Sequence, residues 1–175
     1  SIKIITSTGS PLAEESFKYV YDNIKQEVQL ASIAGGTDMV GCLVLGNLYS
    51  NVYKGEIQGQ SLAIDVDVFT DDGRSTKDGE KGELVVKQPF PSMPIKFWGD
   101  EDGEKYHKAY FTKFKNIWHH GDFIERTSNN GFIMRGRSDA TLNPGGVRIG
   151  TSEIYQQVED IDFINEGLVV GQNYK

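Results

Sequence analysis

Residues 1–38 read SIKIITSTGSPLAEESFKYVYDNIKQEVQLASIAGGTD, and the order of patterns within them decides the fold class. Ile2 to Ile5 is a short apolar run that reads as a strand. Thr6-Ser-Thr-Gly-Ser-Pro-Leu12 is a turn cluster in which Ser10 is placed to cap a helix. Pro11 would then open that helix, where proline's missing N–H does no harm. Ala13, Phe17, Val20, Tyr21 and Ile24 recur at helical spacing, one apolar face of an amphipathic helix ending near Lys25. Val28 to Ile33 reads as a second strand, leading into a glycine-bearing loop, Ala34-Gly-Gly-Thr-Asp38. Strand, turn, helix, strand, loop is the grammar of an α/β layer.

From about Gly55 the pattern changes. Leu62, Ile64, Val66 and Val68 alternate with Ala63, Asp65, Asp67 and Phe69, the period of a half-buried strand. Asp71-Asp-Gly73 turns it, and Glu83-Leu-Val-Val-Lys87 is a candidate partner. A polar helix fits Glu101 to Phe111. Phe123 to Arg126 and Phe132 to Arg135 flank Ser128-Asn-Asn-Gly131, which predicts a hairpin. A Gly/Pro-rich loop follows Gly136-Arg-Ser-Asp139, then a helix from Thr151 and a strand over Gly167-Leu-Val-Val-Gly171. The expectation is a mixed α/β chain: an α/β portion over 1–54, a small antiparallel, barrel-like subdomain over 55–137, and a hinge with the opening of a further domain over 138–175. Strand-like residues at both ends, where a domain normally has loose polar termini, predict an internal fragment of something longer.

Composition limits the function classes. A net charge of −7 and a pI near 5.0 argue against non-specific binding to nucleic acid or an anionic membrane. The longest uncharged run, Met39 to Tyr53, has 15 residues, short of the roughly 20 that a membrane helix needs. A single cysteine, Cys42, excludes an internal disulfide, and the default location is the cytoplasm. Neither a Walker loop, a dinucleotide fingerprint nor a Gly-x-Ser-x-Gly elbow occurs. Calcium loops around Gly73 and Gly103 fail because Val68 and Trp98 stand at the first ligand position. The histidines and Cys42 lack zinc spacing.

Four segments remain: Thr8-Gly-Ser-Pro-Leu12, Ala34-Gly-Gly-Thr-Asp38, Trp118-His-His-Gly-Asp-Phe123, and Gly136-Arg-Ser-Asp139 running through Asn143-Pro-Gly-Gly-Val-Arg-Ile-Gly150 to Glu153-Ile-Tyr155. In this order and at these intervals they resemble the core motifs of the acyl-adenylate-forming enzymes, the family of acyl-CoA synthetases, luciferases and non-ribosomal adenylation domains. The resemblance covers essentially the whole chain. Pro89-Phe-Pro-Ser-Met-Pro94 with Phe97-Trp98, and the run Asn143 to Thr151, look most similar to the branch that acts on acetoacetate. A branch acting on acetate or propionate, and a non-catalytic nucleotide-binding module, stay open as alternatives.

The resemblance implies a fragment of that fold, with ATP, Mg²⁺ and CoA as the small molecules of the full-length enzyme and acetoacetate as its acid. It implies that Gly9, Ser10 and Pro11 pack on the adenine, that Asp122 accepts from the ribose hydroxyls, and that Arg137 reaches the same sugar. Thr37 would contact the α-phosphate and Arg148 the phosphate region, the two catalytic candidates. Chemistry agrees: a short hydroxyl beside glycine suits a phosphate oxygen, and guanidinium suits bidentate oxygen recognition. Asp38 stands where the family usually has a Mg²⁺-binding Glu, one methylene longer. His120 stands where the family often has Thr, and His119 and His120 read as packing or solvent-exposed residues, not as a catalytic base. Gly35 and Gly36 would line the acyl pocket, Gly35 replacing the aromatic of acetate-accepting relatives; Gly145 and Gly146 would line the CoA channel; Asp139 would be the hinge. The family's upstream phosphate loop and its C-terminal catalytic lysine match nothing in these residues, so the chain alone is expected to be inactive. Exposed sheet edges predict dimerisation.

Overall fold

The computed structural model describes residues 2–139 and, beyond them, 154–155, 157–158, 161, 163–164 and 167–170. Two short strands, β1 (Ile4–Ser7) and β2 (Gln29–Ser32), pair in parallel, with Ile5 beside Leu30 and Thr6 beside Ala31. Between them run helix α1 (Glu14–Tyr19) and a π-helical turn, Val20–Ile24. Parallel pairing needs such a crossover, so the α/β reading of this stretch holds. The helix start does not. Ala13, extended at φ −65° and ψ 152°, is the N-cap and offers no side-chain hydrogen bond, so Ser10 and Pro11 lie in the preceding loop. Along the expected apolar stripe Phe17 is buried and Ala13, Val20 and Tyr21 are half-buried, while Ile24 is exposed in the π turn. Widening from α to π pitch carries the last residues off the stripe that a 3.6-residue period predicts.

Ala34 to Asp38 is not a loop. β3 (Ala34–Gly36) pairs antiparallel with β4 (Gly41–Leu45), and β4 with β5 (Gly59–Gln60). Thr37 and Asp38 form the tight turn of this hairpin, closed by Val40 N–H donating to the Thr37 carbonyl at 3.1 Å. Two glycines have poor strand propensity, but at position 35 the pairing requires one. A Cβ on Gly35 would lie 2.1 Å from the Gly41 carbonyl oxygen and 2.6 Å from the Cys42 Cα.

The second half is a four-stranded antiparallel sheet in the order β6 (Val66–Phe69), β7 (Lys81–Val86), β8 (Trp118–Arg126), β9 (Phe132–Arg137). The hairpin over Asn129-Asn-Gly131 and the pairing of 66–69 with 83–86 are as expected. The first strand starts later than its alternation suggests: Leu62 is almost fully exposed and Ala63 takes φ +61°. A left-handed residue cannot continue a strand. Helix α2 (Glu104–Tyr110) crosses one end of β8, its first turn capped by Asp100, whose carboxylate accepts from Lys105 N (3.0 Å) and Tyr106 N (2.8 Å).

The two antiparallel sheets are joined. Ile57 and Phe132 exchange hydrogen bonds of 2.7 and 2.8 Å, linking the approach to β5 with the start of β9 and giving a barrel-like arrangement. Met39, Leu43 and Val44 from the hairpin pack with Val66, Val68, Leu84, Val86, Trp118 and Ile124 in one core. Each such residue, fully buried, contributes on the order of 2 kcal/mol. On the opposite face of β7, the buried Glu83 is held by Lys113 Nζ (2.5 Å) and His119 Nε2 (2.9 Å). Residues 167–170 do not form the expected strand; the Val169 amide donates to the Tyr155 hydroxyl oxygen at 3.0 Å, and a strand needs a backbone partner. The helix expected from Thr151 begins outside the described residues. No helix among the described residues is long and apolar enough to cross a membrane.

Candidate functional site

A cleft of about 720 Å³ opens where β3, the 8–11 loop and the β8–β9 pair meet. Gly9, Ser10, Pro11, Gly35, Gly36, Thr37, Asp122 and Arg137 all line it, although they lie up to 128 positions apart in the chain. Asp38 faces an adjoining pocket of about 230 Å³, shared with Tyr110, Trp118 and His120. Asp139 sits at the rim, bonded to Arg137. Arg148, Gly145 and Gly146 lie outside the described residues.

Local backbone explains how the side chains converge. Gly9 adopts φ +94° with open space where a Cβ would stand, so the loop passes the cleft without obstructing it. Asp122 lies in mid-β8, directly opposite Arg137 of β9. Gly121, at φ +83°, and a register irregularity between Phe123 and Ile124 bend β8 there. Arg137 Nη1 comes within 3.5 Å of Asp122 Oδ1, while its Nε and Nη2 make a bidentate pair with Asp139 at 2.9 and 2.5 Å. The positive φ favours glycine at 121, and a Cβ there would meet the end of the Arg137 side chain, Nη2, at 2.9 Å, so the guanidinium would have to shift.

Burial pushes the Asp122 carboxyl above its ordinary value, against the pull of His120 and Arg137. Burial likewise holds the His120 imidazole below its ordinary value, opposed by Asp122. The hydrogen bonds that Arg137 donates to Asp139 outweigh its burial and raise its guanidinium further. The cleft therefore presents one fixed cation, one acceptor carboxylate, an exposed threonine hydroxyl and glycine-lined backbone. That set can hold a ligand with adjacent hydroxyls at one end and anionic oxygens at the other.

Three residues that sequence reasoning left out of the site shape it. Tyr110 hydrogen-bonds the Asp38 carboxylate and stacks on Trp118 with ring centres 3.6 Å apart. His120 is buried, with Nε2 3.1 Å from the Gly35 carbonyl oxygen and Nδ1 3.2 Å from the Trp118 indole nitrogen. Positions 118, 120 and 122 alternate along one strand, and that spacing was the available signal that they share a face. The Gly35 contacts also give its lack of a side chain a second reason, the hairpin itself, beside any acyl pocket.

No family model matches the chain. Acetoacetyl-coenzyme A synthetase of Rhizobium meliloti is 58% identical over 175 residues, all of this chain and 27% of that protein. Acetoacetyl-CoA synthetase of Gallus gallus is 48% identical over 176 residues, again all of this chain and 26% of its own length. The solved acetoacetyl-CoA synthetase from Streptomyces lividans superposes with a TM-score of 0.85 at 40% identity, over 99% of this chain and 27% of that one. By sequence and by fold the chain is similar over its whole length to acetoacetyl-CoA synthetases, and it spans about a quarter of the length of these relatives.

Proposed function

We propose that the full-length polypeptide carrying this segment is an AMP-forming acid–thiol ligase that joins acetoacetate to CoA. A carboxylate is a poor electrophile. In the reaction proposed, its oxygen attacks the α-phosphorus of ATP and pyrophosphate leaves; the CoA thiol then attacks the acyl carbonyl and AMP leaves. The observation that carries the reading is the convergence of Gly9, Ser10, Pro11, Thr37, Asp122 and Arg137 on one cleft, in a chain similar throughout to enzymes named for acetoacetyl-CoA synthesis.

On this reading the 9–11 loop packs on the adenine, Asp122 accepts from the ribose hydroxyls, and Arg137, steadied by Asp139, donates to the same sugar. Thr37 donates to the α-phosphate, with Arg148 supplying positive charge to the phosphate region. Donors fixed before reaction stabilise charge as it develops. Gly35 and Gly36 border the acyl group, Gly145 and Gly146 the pantetheine arm of CoA, and Asp139 is the hinge for residues 138–175. Mg²⁺ fits Asp38: the carboxylate is exposed on the turn beside Thr37, and a hard cation takes oxygen ligands. Mg²⁺ would offset the charge of the phosphate oxygens there. The residues preceding 55 belong to the large adenylating domain and 55–137 to its barrel-like subdomain, in a cytoplasmic enzyme.

ATP–pyrophosphate exchange tests the reading. The full-length polypeptide is expected to exchange label with acetoacetate in preference to acetate, and the 175-residue chain to show none. No exchange with acetoacetate from folded protein with Mg²⁺ would overturn it.

A further inference from the structure

His120 joins the two walls of the cleft, and its hydrogen bonds admit only one protonation pattern. An indole nitrogen donates and never accepts, so His120 Nδ1, 3.2 Å from Trp118 Nε1, offers a lone pair. A carbonyl oxygen only accepts, so Nε2, 3.1 Å from the Gly35 oxygen, carries the proton. Both bonds are satisfied together by the neutral Nε2–H imidazole and by no other form. Were the proton on Nδ1, it would face the indole N–H. The bare Nε2 would then confront the Gly35 oxygen and also Asp122 Oδ2, 3.6 Å away.

The surroundings hold this arrangement. Trp118 is buried, stacked on Tyr110 and edge-on to Phe90 at 5.4 Å, which fixes the direction of its N–H. The imidazole edge packs close to the end of β3: a Cβ on Gly36 would meet His120 Cε1 at 3.1 Å, a tight contact. One bond therefore ties β3, just before Thr37, to β8, two residues before Asp122.

We infer that His120 is a positioning residue of the nucleotide cleft, held as its neutral Nε2–H tautomer by Trp118 so that it fastens the Thr37-bearing hairpin to the Asp122-bearing strand. The inference rests on the nucleotide-site reading above, not on the identity of the acid. It assigns His120 no contact with substrate.

Solid-state ¹⁵N spectra of the full-length polypeptide labelled on histidine test it, with the His120 signals identified by their loss in His120→Gln. The expected wild-type signature near neutral pH is one protonated Nε2 and one unprotonated Nδ1. An Nδ1–H or doubly protonated ring would overturn the inference. Calorimetric titration with ATP provides the second readout. His120→Phe keeps the ring and loses the bond, and is expected to weaken ATP binding about two- to tenfold. His120→Gln, whose amide can still donate toward Gly35, is expected to recover most of that loss. Equal binding by the Phe and Gln variants would overturn the inference. A wild type that binds ATP but shows no pyrophosphate exchange would sink only the ligase proposal.

Discussion

Single residues decide the geometry of this site, and Gly121 is the sharpest case. It combines a left-handed φ of +83° with a 2.9 Å gap between its would-be Cβ and Arg137 Nη2. Gly121→Ala is expected to cost about 1–3 kcal/mol in denaturant unfolding and to weaken ATP binding, because the side chain both strains the backbone and lifts the guanidinium. Glu83 makes a different prediction. Burial alone would raise its carboxyl, but hydrogen bonds from His119, Lys113 and Ser138 outweigh burial and hold it below the ordinary 4.5. A carboxyl lower in the folded than in the unfolded chain adds stability that is complete above about pH 4.5 and lost as pH falls through its folded value. Glu83→Gln should therefore flatten the acid limb of a stability-versus-pH curve. At neutral pH it should cost about 1–3 kcal/mol, since the charged hydrogen bonds to His119 and Lys113 are weakened while Lys113, partly exposed, keeps Asp71 at 2.8 Å.

At the scale of elements, the β3–β4 hairpin sets the register that aims Thr37 into the cleft. Gly35 has backbone on the side where a Cβ would go, whereas a Cβ on Gly41 would make only ordinary contacts at 3.6 Å or more. Gly35→Ala is expected to lower stability by about 1–3 kcal/mol, and Gly41→Ala to stay within about 0.5 kcal/mol of wild type; chemical denaturation of both variants checks the contrast. A Gly35→Trp variant would thus report hairpin damage before it reported acyl selectivity. The same hairpin shows what sequence reasoning reached and where it stopped. Strands with an alternating or β-branched pattern, 83–86 and 123–126, were legible because one face must be buried. Ala34-Gly-Gly36 was not, since its strand character comes from a partner strand and not from its own side chains. The helix cap at Ser10 failed for a related reason: a motif can satisfy local rules while the loop is held elsewhere, here along the cleft wall. The site candidates were legible as residue types in order, and most of those described line one cleft or the pocket beside it. His120, Trp118 and Tyr110 were not, because their role exists only in the contacts between strands and α2.

For the whole molecule, the sheets differ in how much of their own support these residues supply. β6 to β9 share a core with the hairpin and with Phe90 and Trp118. β1 and β2 form a parallel pair of 4 residues each, with Ile2 and Ile4 about half exposed. Parallel strands are normally buried on both faces, and a two-strand sheet is marginal in water. The relatives that match here are about four times longer, and the match covers 27% of the Rhizobium meliloti protein. The expectation is that β1–β2 draws its remaining cover from the rest of the full-length polypeptide. Hydrogen exchange compares the two situations residue by residue. In the 175-residue chain, the amides of Ile5, Thr6 and Ala31 should exchange far faster than those of Leu84, Val86 and Ile124. In the full-length polypeptide the two groups should converge, by at least about tenfold in the protection of the first. Dimerisation of the short chain through β1 would also protect these amides, but with a dependence on protein concentration that cover by the same polypeptide lacks. Equal protection of both sheets in the short chain at high dilution would mean that the parallel pair stands on its own contacts, with Phe17, Leu30 and Ala31 as a sufficient core.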